Sequence, residues 1–221
     1  MNKDRFSCYA DLRAAKFEGR DYRVWAHDLD TAVVILAPHG GCIEPGTSEI
    51  ATAVAGTSCS LYLFEGLVRQ GGHREQHICS ERFDEPRGLT MVAKAITAVA
   101  IHGRADGEDP ETIWIGGLDK ALGASISSAL RAHGFSARTN PPRLNGTDPS
   151  NVCNRTRSGR GVRTENDTQS PLRRSRPHAD LCLCRPRFDR RTLLFGSCRE
   201  LKMRGPVATG PPKAPYRDCV C

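Results

Sequence analysis

Three side chains have the types and spacing for hydrolytic chemistry. His39 and Glu44 lie in Ala37-Pro-His-Gly-Gly-Cys-Ile-Glu44, and His102 lies in Ala100-Ile-His-Gly103. Imidazole nitrogen and carboxylate oxygen are the donors that hydrolytic zinc sites take in threes, leaving one position open for water. His39 and Glu44 are five residues apart in a turn loosened by Gly40 and Gly41, so both can reach one ion. His102, about sixty residues downstream, is also followed by a glycine. Either histidine alone would read as an ordinary loop residue. Two such sites, each glycine-flanked, favour a shared Zn2+.

These groups need strand ends to carry them. Residues 32–37 form a short β-branched apolar run, the pattern of a strand buried on both faces. Pro38 is expected to stop its ladder. Open α/β sheets bind their ligands at the carboxyl ends of such strands. Helical periodicity resumes at about 47–54, with Thr47 or Ser48 as the expected cap. A second apolar run, 96–101, delivers His102. Helices are also expected over 6–17, 89–95 and 119–133, the last stopped by Gly134, and strands over 22–27, 60–64, 113–115 and 135–138. The loop 67–76 is expected to bring His77 to the rim of a cleft, as a substrate contact or a packed surface histidine. The acidic segment 106–110 reads as a solvated turn. Asp84 and Glu85 are adjacent and point apart, so a structural or capping role is favoured over an acid–base pair. The alternation of strands and helices predicts a three-layer α/β fold with a mostly parallel or mixed sheet.

The stretch 37–50 resembles the metal-binding signature of the poly-γ-glutamate hydrolase family, phage and bacterial proteins similar to zinc carboxypeptidases. Further segments resemble it in the same order: Ser60-Leu-Tyr-Leu-Phe-Glu-Gly66, His77-Ile-Cys-Ser80, Phe83-Asp-Glu-Pro86, Ala100-Ile-His-Gly103, Gly116-Gly-Leu-Asp119 and Thr147-Asp-Pro-Ser-Asn-Val-Cys-Asn-Arg155. The likeness spans residues 8–163. It implies a zinc-carboxypeptidase-like fold and hydrolysis of γ-linked glutamyl amide bonds, with His39, Glu44 and His102 as ligands. By the same analogy Asn154 and Arg155 would bind substrate carboxylate, for which arginine's planar fork is suited. The family pattern Gly-Val-Gln-Leu-Glu points to Glu165 of Gly161-Val-Arg-Thr-Glu165 as the general base. Arg163 and Thr164 depart from that pattern, and the strand that should seat Glu165 is expected to be lost with it.

The 221 residues carry a formal charge of +7, but residues 170–221 hold 12 Lys and Arg against 4 Asp and Glu. The rest is near neutral, so the basicity belongs to the tail. That tail also has half the prolines and half the cysteines and no sustained period. It reads as disordered over 166–221, beyond a catalytic domain of 1–165, and resembles an out-of-frame continuation of the gene. Cys8, Cys42, Cys59, Cys79 and Cys153 form no CxxC pair and are expected to be small buried residues. The CxC pairs at 182/184 and 219/221 lack the usual metal spacing. With no signal-like N-terminal segment and no membrane-spanning run, a cytoplasmic monomer acting on poly-γ-glutamate or a similar acidic peptide is expected. Two other classes remain open. One is a metal-binding relative whose catalysis is lost through the aberrant C-terminus. The other is a nucleic-acid binder using the basic tail, disfavoured by the lack of interleaved aromatics or a recognition helix.

Overall fold

The apolar run at 32–37 lies in the middle of a sheet, as its β-branched composition dictates. In the computed structural model of the chain, the described residues are 4–69, 75–104, 109 and 111–167, all within one compact unit. The tail expected to be disordered, its CxC pairs, and most of the 106–110 turn lie outside them. The elements are α1 (Tyr9–Ala15), β1 (Tyr22–His27), β2 (Val33–Gly41), α2 (Thr47–Ala55), β3 (Ser60–Gly66), α3 (Pro86–Lys94) and β4 (Thr97–Arg104). There follow β5 (Thr112–Gly117), α4 (Lys120–Ala132), β6 (Ser136–Thr139), a 3-10 turn (Val152–Asn154) and β7 (Val162–Asp167).

Seven strands form one mixed sheet in the order β1-β3-β2-β4-β7-β5-β6. β3, β2, β4 and β7 are parallel, β1 pairs antiparallel to β3, and β5 pairs antiparallel to β7 but parallel to β6. Alternate residues of β2 feed two cores. Val34 and Leu36 pack with Leu12 of α1 and Met91 and Val92 of α3. Ile35 and Ala37 pack with Ala51 and Ala55 of α2 and Ile126 and Leu130 of α4. The period of two thus builds helices onto both faces, a three-layer α/β fold.

From β2 the chain crosses through α2 to β3, then returns through α3 on the other face to β4. The connections therefore diverge between β2 and β4, and ligand crevices open at such a switch point, beyond the carboxyl ends of the strands.

Four local expectations are corrected. Pro38 does not end β2; the ladder shifts register between Ala37 and Gly40 and resumes at Gly40–Glu65 and Gly41–Gly66. A bulge absorbs the missing proline N–H. The pair of glycines is needed there, because a Cβ on Gly40 would stand 2.3 Å from Ser48 Oγ and Gly41 has φ +63°. The cap of α2 is neither Thr47 nor Ser48 but Gly46, in the left-handed region at φ 93°. Thr47 Oγ1 instead donates to the Glu44 carbonyl at 2.8 Å. Finally, residues 162–167 do form a strand despite Arg163 and Thr164, clamped between β4 and β5. Of the five cysteines expected to be buried, Cys59 and Cys153 are; Cys8, Cys42 and Cys79 are partly exposed.

Candidate metal centre

The bulge at the end of β2 turns His39 inward, and the Glu44 N–H donates to the His39 carbonyl at 2.9 Å to close the turn. That closure folds the carboxylate back on the imidazole, with Nδ1 of His39 2.9 Å from Oε1 of Glu44. The other carboxylate oxygen, Oε2, lies 3.3 Å from Nδ1 of His102 and accepts from the Gly103 N–H at 2.9 Å. One glutamate thus bridges two histidines from the ends of β2 and β4, all three of them buried. Strand ends brought together at the switch point put the three expected ligands in one cluster.

The donor chemistry fits a divalent ion. Nε2 of His39 is 2.8 Å from the Ile78 carbonyl, an acceptor only, so that nitrogen carries the proton in a neutral ring. Nδ1 then turns a lone pair toward a carboxylate oxygen, which calls for a cation between them, either a proton or a metal. Among the described residues the side chains whose donor atoms all lie within 4.8 Å of one another are His39, Glu44 and His77, while His102 reaches the same carboxylate through its other oxygen. Burial, followed by the charge of Arg163, lowers His102 to about 3, which keeps its ring neutral and able to donate a lone pair.

Glu165 stands beside His102 in the β4–β7 register. Its Oε1 accepts from Arg163 Nε, and its Oε2 is buried with no hydrogen-bond partner among the described residues. Burial pushes its carboxyl up to about 7, against the opposing pull of Arg163. Arg163 also donates to Ser80 Oγ at 3.0 Å, and Ser80 Oγ lies 3.5 Å from Nε2 of His102. Sequence reading treated Arg163 only as a lost apolar seat. Strand alternation was the available signal, since residues 163 and 165 share a face.

The remaining expected site residues fall differently. His77 packs against His39 with the rings tilted by 44° and their centroids 4.1 Å apart, and hydrogen-bonds Asp4 Oδ1 through Nδ1 at 2.7 Å. Asn154 is buried and holds loops together: Nδ2 donates to the carbonyls of Gly146 and Asp148, while Oδ1 accepts from the N–H groups of Leu118 and Gly161. Arg155 directs Nε, Nη1 and Nη2 to the carbonyls of Ser150, Phe83 and Glu81. The donors expected to meet substrate carboxylate are engaged with backbone here. Asp84 and Glu85 take the structural parts expected of them, Asp84 accepting from the Tyr9 N–H and Glu85 capping α3 through the Gly88 N–H.

Comparison with known proteins agrees with this architecture. The chain is 39% identical over 168 residues to the SPbeta prophage-derived UPF0714 protein YoqZ of Bacillus subtilis (strain 168), an alignment covering 75% of this chain and 60% of YoqZ. It is 36% identical over 151 residues to UPF0714 protein YndL of the same organism, covering 67% of this chain and 58% of YndL. The chain thus spans about three fifths of the length of these relatives. Among solved structures, that of a bacteriophage poly-gamma-glutamate hydrolase superposes with a TM-score of 0.71 at 34% identity, over 75% of this chain and 79% of that one. A zinc-free structure of YndL gives 0.70 at 33% identity, over 78% and 83%. The poly-gamma-glutamate hydrolase profile runs from residue 6 to residue 174, through every strand that carries the cluster, and the chain belongs to that family.

Proposed function

We propose that this chain is a zinc-dependent amidohydrolase that cleaves γ-glutamyl amide bonds of poly-γ-glutamate or a similar acidic peptide. The observation that carries this reading is the Glu44 carboxylate held between Nδ1 of His39 and Nδ1 of His102, with the unpaired oxygen of Glu165 on the adjoining strand. Family membership supports the substrate class, and the zinc-free form of the YndL structure supports the metal.

His39, Glu44 and His102 would hold the ion. When bound, zinc supplies Lewis-acid polarisation of the amide carbonyl and makes a water molecule more acidic. Glu165 takes the proton of that water as its oxygen adds to the carbonyl carbon. It then returns the proton to the amide nitrogen as the C–N bond breaks, leaving a carboxylic acid and a free amine. Arg163 fixes Oε1, so that Oε2 is the oxygen left for proton transfer. Asn154 and Arg155, the expected contacts for substrate carboxylate, also tie the 3-10 turn to neighbouring loops through backbone groups.

Incubating the zinc-loaded protein with poly-γ-glutamate and following chain length and new amine groups tests the proposal. Shortening that stops with chelator and returns with zinc is expected. Glu165→Gln should keep its zinc and lose about 10²–10⁴-fold in turnover. No shortening by the folded, zinc-loaded protein would refute hydrolysis, and full activity in Glu165→Gln would refute the base. The ion pair of Arg163 with Glu165 favours one other reading, a metal-binding relative whose base is captive. In that case the protein binds zinc but the polymer stays intact.

A further inference from the structure

Arg163 offers more donors than the proposed base can use. It shares a face of β7 with Glu165, because side chains two apart on a strand point the same way, and Glu165 is the register partner of His102. The residue is 8% exposed, and its surroundings hold it still. Nε donates to Glu165 Oε1, Nη1 donates to Ser80 Oγ at 3.0 Å, and Ser80 Oγ lies 3.5 Å from Nε2 of His102. The stem runs against Gly146, where even a Cβ would stand 2.8 Å from Arg163 Cδ. Nη2 makes no hydrogen bond among the described residues, yet it is not sealed in as the partnerless Glu165 Oε2 is. A fixed, largely desolvated guanidinium with one open donor is a receptor for a carboxylate.

We propose that Arg163 binds the substrate carboxylate next to the scissile amide and so sets the preference for γ-linked glutamyl chains. This rests on the hydrolase reading above. In such a chain the scissile nitrogen is bonded to the carbon that bears a free carboxylate. An amide carbonyl presented to the cluster and to Glu165 Oε2 therefore brings an anion close to β7. Arg163 meets that anion through Nη2 while Nε keeps Glu165 in place, so one side chain registers substrate against base. Within an α-linked peptide the same carbon carries an amide instead, which can return only a weaker, neutral hydrogen bond. Arg104 is a second cation acting on Glu165: burial raises that carboxyl, and Arg163 and then Arg104 pull it back. Nη2 of Arg104 is committed to the Asp109 and Thr112 carbonyls, so Arg104 is the control for charge alone.

The test compares two ligands of nearly equal shape, a short γ-linked glutamate oligomer and the same oligomer with its carboxylates converted to carboxamides. Calorimetry on the chelator-stripped, full-length chain measures the affinity for each where nothing turns over. The preference for carboxylate over carboxamide should fall about 10–100-fold in Arg163→Gln and far less in Arg104→Gln. A merely structural role would weaken both ligands alike and leave the preference in place. An unmoved preference in Arg163→Gln, an equal fall in Arg104→Gln, or a wild type that does not favour the carboxylate form overturns the proposal. If circular dichroism shows Arg163→Gln unfolded, Arg163→Lys decides instead, since it keeps the charge and loses the fork; a wild-type preference there overturns the proposal. Shortening of poly-γ-glutamate by the zinc-loaded wild type is scored separately. Its absence removes the hydrolase reading and this proposal together, whereas an unmoved preference in a chain that cleaves removes the proposal alone.

Discussion

Glu165 and Arg163 show how much can turn on two side chains two residues apart. The buried carboxyl is raised from an ordinary 4.5 to about 7, so the folded state holds its proton more tightly than the unfolded chain does. Between those values folding takes up a proton, and in metal-free protein the unfolding free energy should fall as pH rises through the window. Relative to Glu165→Gln, which lacks the titration, wild type should lose on the order of 1–3 kcal/mol from pH 4.5 to 7 in denaturant melts. A pH-independent difference between the two would contradict a raised carboxyl. That His39 and His102 meet at Glu44 was legible in the sequence because such side chains beside glycine, following apolar runs, form a local pattern. Arg163 was visible too, but its charge was weighed as a defect in a strand rather than as a partner two positions from Glu165. Asp4 was not legible, since nothing local ties it to a histidine 73 residues away.

At the scale of elements, the loops that floor the site depend on one amide. Asn154 joins the 3-10 turn to residues 146, 148, 118 and 161 through four backbone hydrogen bonds. Asn154→Ala would leave buried backbone groups without partners, costing about 2–4 kcal/mol. A correspondingly lower denaturant midpoint is expected, with any change in substrate affinity following from it. An unchanged midpoint with weakened binding of acidic substrate would instead support the substrate contact expected from the sequence. Most strands and helices were readable from periodicity, including the 119–133 helix with Asp119 capping through the Leu122 N–H. The ends were less so. At Pro38 a lost donor was read as the end of the strand, whereas renewed pairing with β3 carries β2 across the bulge. At Thr164 a break was expected because the apolar pattern lapses, yet β4 and β5 supply ladders on both edges and override it.

For the whole molecule, the crossing of chain connections between β2 and β4 explains why distant motifs share a crevice. Two runs that end in His-Gly become useful only when the sheet sets them side by side, and the β–α alternation of the sequence already implied a sheet able to do that. Strand order was not legible, because it depends on which core each helix completes, as α2 and α3 do on opposite faces. Among the described residues no helix is long and apolar enough to cross a membrane. The measurement that bears most directly on the centre is metal analysis of the purified chain beside His39→Ala and His102→Ala, after equal exposure to zinc and gel filtration. One zinc per wild-type chain, and loss from both variants while they remain folded, is the predicted result. A folded wild type that retains no zinc, or variants that retain it as fully as wild type, would contradict a metal centre built on Glu44 and its two histidines.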